Sequence, residues 1–301
     1  MKYGLFIAGL VLLMNAAAAA QSAQPANAGS KIAYLGFDRN DYPGDAALPA
    51  LRKTFRYAGY WLNNPPGERS NSWTGKRAIL RQYGFGFLVL FTGRTDAAIK
   101  AAMAAGQSAE QLGAEDGKAA AAAAVQGGFP KDVLIFFDQE EGGRLLPEQA
   151  AYLFAWVDAV RAAGARTGVY CSGIEVPDGS GAISTAQDIA EREGVRVQPQ
   201  RSSKSKVAER LVLWIANDQC PPSPGCSLTA PSLTLGVPES LRRFTAVWQY
   251  AQSPRRTQFS ANCPASPARD GNCYAPGLPA NAHIFVDLNA ANSPNPSENS
   301  Y

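Results

Sequence analysis

The chain has 301 residues, with 28 Lys and Arg against 25 Asp and Glu, one histidine and five cysteines. A formal charge of only +3 gives no basic footprint for nucleic acid and no cationic surface for a membrane. The lone histidine, His283, argues against Ser-His-Asp hydrolysis and against a His-rich zinc site.

The N-terminus reads as a secretory signal peptide over residues 1–20. Met-Lys precedes an apolar run from Tyr3 to Met14, and Ala16–Ala20 offers a small-residue cleavage site after Ala20. The run is too short to span a bilayer, and no later stretch is long and apolar enough. An exported protein follows, secreted or periplasmic, with the charge falling to +2 once Lys2 is removed. Residues 21–30 read as a disordered linker, 31–291 as the folded domain and 292–301 (NSPNPSENSY) as a disordered tail.

Within the domain, β-like and helix-like segments alternate. Strands are expected at Ile32–Asp38, Tyr57–Leu62, Phe85–Thr92, Val133–Glu140, Arg166–Ser172, Leu211–Ala216, Ala246–Tyr250 and Ile284–Asn289. Helices are expected at Leu48–Tyr57, Thr74–Tyr83, Ala109–Val125, Pro147–Ala163, Thr185–Arg192 and Pro238–Arg243. Pro147 opens the clearest of these, Gly164 follows its end, and Tyr152, Trp156 and Val160 form its core stripe. Eight strands interleaved with helices predict an α/β fold, a single (β/α)8 TIM-like barrel with an irregular second half. A doubly wound open sheet is the second choice.

Four cysteines bracket two polar loops. In an oxidising compartment they read as local disulfides, Cys220–Cys226 and Cys263–Cys273, with the crossed pairing left open. Cys171 remains as a buried thiol. A Cys171–His283 dyad lacks any orienting partner.

The segment DVLIFFDQE at 132–140 carries the chemistry. Five apolar residues in a row suggest a strand buried on both faces. Alternation then puts Asp138 and Glu140 on one side, about 6.6 Å apart along the strand. Paired carboxylates at a buried strand end are costly unless used or hydrogen-bonded, and glycoside cleavage uses such a pair. In a barrel, Asp38 ends the first strand and Asp287 lies at the end of the eighth, so four carboxylates converge on one mouth. Trp214, Trp248 and Tyr250, on strands near that mouth, are candidates for a sugar platform, although a barrel core uses the same residues. No cofactor is expected, and the one metal option these carboxylates leave is an all-oxygen calcium or magnesium site.

The ordered set GFDRNDYPG (36–44), YAGYWL (57–62), FLVLFTGR (87–94), VLIFFDQE (133–140), RTGVYCSG (166–173), LVLWIAND (211–218), AVWQYAQ (246–252) and FVDLNAA (285–291) resembles a bacterial glycoside-hydrolase-like barrel family. More distantly it is similar to the family 25 muramidases. The resemblance implies a single barrel with an acidic pocket at its mouth. It implies Glu140 as general acid, Asp138 as the group stabilising charge at the anomeric centre or positioning an N-acetyl group, and Asp38 and Asp287 as orienting residues. The two cysteine-bracketed loops and Val195–Lys206 depart from the pattern as embellishments. Two readings follow: a monomeric hydrolase of an N-acetylated envelope glycan such as peptidoglycan, or a catalytically silent barrel that binds envelope glycan or a protein partner through the same cleft. A structural envelope component with a relict pocket is the third.

Overall fold

The computed structural model describes residues 33–197, 210–218, 232–233, 236–253 and 274–298. The segments expected to be a signal peptide and a linker, and the cysteines at 220, 226, 263 and 273 with both expected disulfides, lie outside the described residues. In chain order the elements are β1 (Tyr34–Asp38), α1 (Leu48–Thr54), β2 (Tyr57–Trp61), α2 (Arg77–Gln82), β3 (Gly86–Thr92), α3 (Asp96–Ala104), α4 (Ala109–Gln126) and β4 (Leu134–Asp138). There follow α5 (Pro147–Ala162), β5 (Arg166–Ser172), a hairpin of β6 (Val176–Asp178) and β7 (Gly181–Ile183), α6 (Thr185–Val197), β8 (Val212–Ala216), α7 (Glu239–Arg242), β9 (Thr245–Ala251) and β10 (Asp287–Ala291). No helix among the described residues is long and apolar enough to cross a membrane.

The eight expected strands close into a barrel in the order β1-β10-β9-β8-β5-β4-β3-β2. All neighbours are parallel except around β10, which runs antiparallel to both β1 and β9. This corrects the expected (β/α)8 repeat. A parallel last strand would need a crossover back to the start of the barrel, whereas antiparallel neighbours can be joined at one end. β10 therefore enters at the end where β9 finishes and descends to the opposite end.

The expected helix Ala109–Val125 forms as α4, and the residues before it form a separate helix, α3, that was not expected. Gly106 takes a left-handed φ of 94° and Ser108 caps α4 reciprocally with Gln111. Small residues on α4 let it approach α5 closely. A Cβ at Gly113 would lie 2.1 Å from the Tyr152 carbonyl oxygen, and one at Gly117 would lie 2.7 Å from that of Trp156. Tyr152, Trp156 and Val160 are buried, as their spacing predicts.

Residues Asn292–Glu298, expected to be a disordered tail, instead form a strap beneath the N-terminal ends of β3 and β4. The Ser297 hydroxyl accepts from the Val89 amide at 2.8 Å, and the Ser297 carbonyl accepts from the Leu134 amide at 2.8 Å and from Arg166 Nη2 at 3.0 Å. The Asn295 side chain accepts from the Phe87 amide at 2.9 Å, and Glu298 pairs with Arg77 at 2.6 Å. The β3–β4 ladder begins only at Val89 and Ile135, so the strap occupies strand groups that have no partner strand below that point. Serine, asparagine and proline read as disorder by composition, and here the first two serve as hydrogen-bond partners.

Substituting Gly113→Ala should lower the melting temperature, because a clash with backbone outweighs the roughly 1 kcal/mol of helix propensity that alanine adds. Gly194→Ala on α6, where nothing lies near the added methyl, should raise it. Ser297→Ala should cost about 1–3 kcal/mol in denaturant unfolding, since it strips a buried amide of its acceptor.

Candidate active site

Strand parity decides what the mouth contains. Asp38 ends β1 and Asp138 ends β4, both at the C-terminal side of the parallel strands. Asp287 opens β10, and because that strand descends, its first residue sits opposite Asp38 in the β1–β10 register. Asp287 thus reaches the mouth by a different route from the strand-end position expected for it. Asp38, Asp138 and Asp287 are all buried, whereas Glu140, two residues past β4, is exposed at the rim.

Tyr170 on β5 lies at the centre of this arrangement. Its register partner on β4 is Asp138. Burial pushes its phenol well above the ordinary range, and Glu140, Asp138, Asp38 and Asp287 each push it further in the same direction. One hydroxyl thus feels all four predicted carboxylates. Next in sequence, Glu141 has a structural task, accepting from the Asp96 amide that opens α3 and from the Gln149 side chain.

Below the mouth, two amide side chains converge on a single oxygen. Asn289 Nδ2 donates to Asp38 Oδ1 at 2.7 Å and Gln249 Nε2 donates to the same atom at 3.1 Å. The Trp214 indole can only donate, and it does so to Asn289 Oδ1 at 3.0 Å; the Tyr170 hydroxyl donates to Gln249 Oε1 at 2.9 Å. These two donors fix both amides with their NH2 groups toward Asp38. Gly59 gives Asp38 room, since a Cβ there would fall 2.6 Å from the Asp38 Cβ.

The predicted aromatic platform is distributed differently. Trp214 points inward but is wholly buried under the carboxylates, stacked edge-on against Tyr170 with ring centroids 4.7 Å apart. Gln249 points into the barrel, so its neighbours Trp248 and Tyr250 point outward, into the surrounding layer. There they are buried, 5.8 Å apart, and the Trp248 indole donates to the Asn217 carbonyl. Two other indoles staple the loop behind Asp38, Trp61 to the Arg39 carbonyl and Trp73 to the Asn40 carbonyl. Cys171 faces outward and is fully buried, with its thiol pushed up by burial, and His283 is exposed at a left-handed turn.

One carboxylate at the mouth was not anticipated. Asp218, two residues past β8, is half-buried, and its carboxyl is pushed up to about 7, first by burial and then by Asp287. Following a strand, Asn-Asp reads as an ordinary turn, and nothing local marks the nearby charge. The flank of the mouth is held by Arg144, which binds Asp178 at the β6–β7 hairpin at 2.6 Å and Asp188 on α6 at 2.9 Å. Two cavities of about 470 and 690 Å³ open beside α4, with none of the five mouth carboxylates in their walls. Among the described residues, no group of three or more His, Cys, Asp and Glu side chains is placed to hold a metal ion.

A crystal structure of an uncharacterized B. stearothermophilus protein is similar to this chain, with 20% identity over 86% of this chain and 95% of that one and a TM-score of 0.54; the likeness is one of fold. The Mycobacterium tuberculosis Tat-secreted protein Rv2525c, in complex with L-tartrate, aligns at 13% identity over 87% and 96% of the two chains with a TM-score of 0.46. A muramidase from Acremonium alcalophilum aligns at 16% identity over 86% and 94%, with a TM-score of 0.42. No curated protein sequence matches. A family model described as Rv2525c-like, glycoside hydrolase-like domain matches residues 54–214, just over half of the chain, a stretch that includes Asp138 and Glu140 but neither Asp38 nor Asp287. The chain therefore belongs to the Rv2525c-like, glycoside hydrolase-like domain family.

Proposed function

We propose that the protein is an exported glycoside hydrolase that cleaves an N-acetylated cell-envelope glycan, peptidoglycan first among the candidates, by carboxylate acid catalysis and as a monomer. The convergence of Asp38, Asp138, Glu140 and Asp287 on Tyr170 carries this reading. Glycoside cleavage needs one carboxyl group to protonate the leaving oxygen and another to meet the positive charge that develops on the sugar. Glu140, at the solvent-facing rim, is the group a glycosidic oxygen meets first, and it takes the acid role. Asp138, buried beneath it, stabilises charge at the anomeric centre or positions an N-acetyl group. Asp38 and Asp287 orient the reacting groups from the opposite wall. Asp38 suits a fixed role, because its Oδ1 accepts two amide N–H bonds and a donated hydrogen bond favours the charged carboxylate. The peptidoglycan assignment rests on the sequence resemblance to muramidases together with the leader-like N-terminus.

One observation favours a second reading, a silent barrel that binds through the same cleft: Trp214, Trp248 and Tyr250 are all buried and offer no open sugar platform. Mass spectrometry of soluble products from purified peptidoglycan separates the two readings. The hydrolase should release muropeptides that are absent with Glu140→Gln, while that variant still binds the polymer. Binding without products from either protein, both folded, would favour the silent barrel. In the hydrolase, Asn289→Ala should lower kcat about ten- to hundredfold, the equivalent of a charge-assisted hydrogen bond of about 1.5–3 kcal/mol, with little change in KM. Steady-state kinetics on a soluble glycan fragment, with circular dichroism to verify folding, checks this.

A further inference from the structure

Glu140 stands beyond the end of its strand. β4 stops at Asp138, whose carbonyl accepts from the Gly93 amide at 3.3 Å, and the Gln139 amide donates to the Tyr170 carbonyl at 3.0 Å. Past Glu141 come Gly142 and Gly143, the second in the left-handed region at φ 87°, so the chain there has the freedom of glycine. Two buried glutamines and one carboxylate bracket the residue between. Gln139 Nε2 spans Glu140 and donates to the Glu141 carbonyl at 3.2 Å. The Glu141 carboxylate accepts from the Asp96 amide through both oxygens, at 3.1 and 3.0 Å, and from Gln149 Nε2. Gln149 is held in that orientation because its Oε1 accepts from the Leu146 amide at 2.8 Å. One carboxylate is thus tied to the first residue of α3 and to the first turn of α5 at once.

We propose that Glu141 is a positioning residue for Glu140: its carboxylate, with Gln139 and Gln149, fixes the backbone from which the acid projects. The role in turnover rests on the hydrolase reading above; the restraint on the loop does not. A general acid must meet the leaving oxygen at hydrogen-bond distance, and a side chain carried on a loop reaches that precision only when bonds around it hold the loop. The residue before Glu140 is tied to β5, and the residue after it to α3 and α5. Glu140 can therefore expose its side chain at the rim while its backbone stays placed. The far side of the loop has its own anchor, since buried Asp188 on α6 accepts from the Leu145 amide at 3.0 Å and from Arg144 Nη1 at 2.9 Å. Between Gln139 and that anchor, with two glycines in the interval, the Glu141 carboxylate binds the chain to its neighbours.

The partners at 141 and 149 can be exchanged, and the exchange is the test. Glu141→Gln sets two amide NH2 groups against each other, and Gln149→Glu sets two carboxylates together, although either residue type suits the α5 cap. In the double variant Glu141→Gln/Gln149→Glu the donor and the acceptor change sides. The amide at 141 can then accept from Asp96 and donate to the carboxylate at 149, whose other oxygen accepts from Leu146. Amide hydrogen exchange of the full-length protein, without substrate, should quicken across residues 139–146 in each single variant and return to the wild-type rate in the double. Steady-state kinetics on a soluble glycan fragment should show kcat about ten- to hundredfold lower in each single variant, with KM nearly unchanged and recovery in the double. Folded single variants with wild-type exchange in this segment overturn the proposal, as does a double variant that recovers nothing. Single variants that melt at lower temperature yet keep the wild-type kcat also overturn it, leaving Glu141 as a tie between two helices. If wild type releases no product, the hydrolase reading fails, and the exchange series still decides whether Glu141 holds the loop of Glu140.

Discussion

The antiparallel pairing of β1 with β10 is the constraint on which the rest of the molecule depends. It sets Asp287 opposite Asp38 at the mouth and places Asn289 one inward position lower, where its amide reaches Asp38. It also delivers the chain to the far end of the barrel, where Asn292–Glu298 serve the first residues of β3 and β4. A parallel eighth strand with the same sequence would carry Asp287 away from the mouth. One reversal of direction thus positions both the acidic cluster and the strap that finishes the opposite end.

Several carboxyl groups buried together oppose folding unless their charge is met by hydrogen bonds or removed by protonation. Both solutions are present within one barrel wall. Asp38 receives two side-chain amide donors, each held in orientation by an aromatic donor behind it, so the layer of Tyr170 and Trp214 under the mouth carries polar instructions as well as apolar packing. Among the described residues Asp218 has no such side-chain donors, and burial together with the nearby Asp287 favours its neutral acid. Glu140 avoids the cost by lying in solvent. In the proposed hydrolase, the acid that protonates the leaving group must exchange its proton with water between turnovers, and an exposed rim position allows that.

Much of this was legible in the sequence, and the gaps share a physical cause. The eight barrel strands stand out as β-branched and aromatic runs, and acids at their ends are visible as breaks in those runs. Alternation along a strand defines two faces without saying which is inward when both are buried. In AVWQYA the aromatic pair therefore looked like a cleft lining, although Gln249, the one polar residue between them, marked the inward face. Strand direction leaves no trace in composition either, so the last strand passed for a parallel one. Asp218 escaped notice because its significance comes from Asp287, which is remote in sequence. The strap escaped because Ser297 and Asn295 are polar for the sake of amides that belong to other strands.

The hydrogen bonds that close the ring have an implication for how the chain acquires its fold. Asn289 meets Asp38 across 251 residues of sequence, and Asn295 meets Phe87 across 208. Contacts this remote are reached only after large loops have closed, which slows folding. A polypeptide emerging from its N-terminus can form β1 through β9 while the ring is still open and the amides of Phe87 and Val89 await their acceptors. Completion is thereby reserved for a late docking event, in which one strand and the strap behind it arrive together and convert an open, curved sheet into a sealed cylinder.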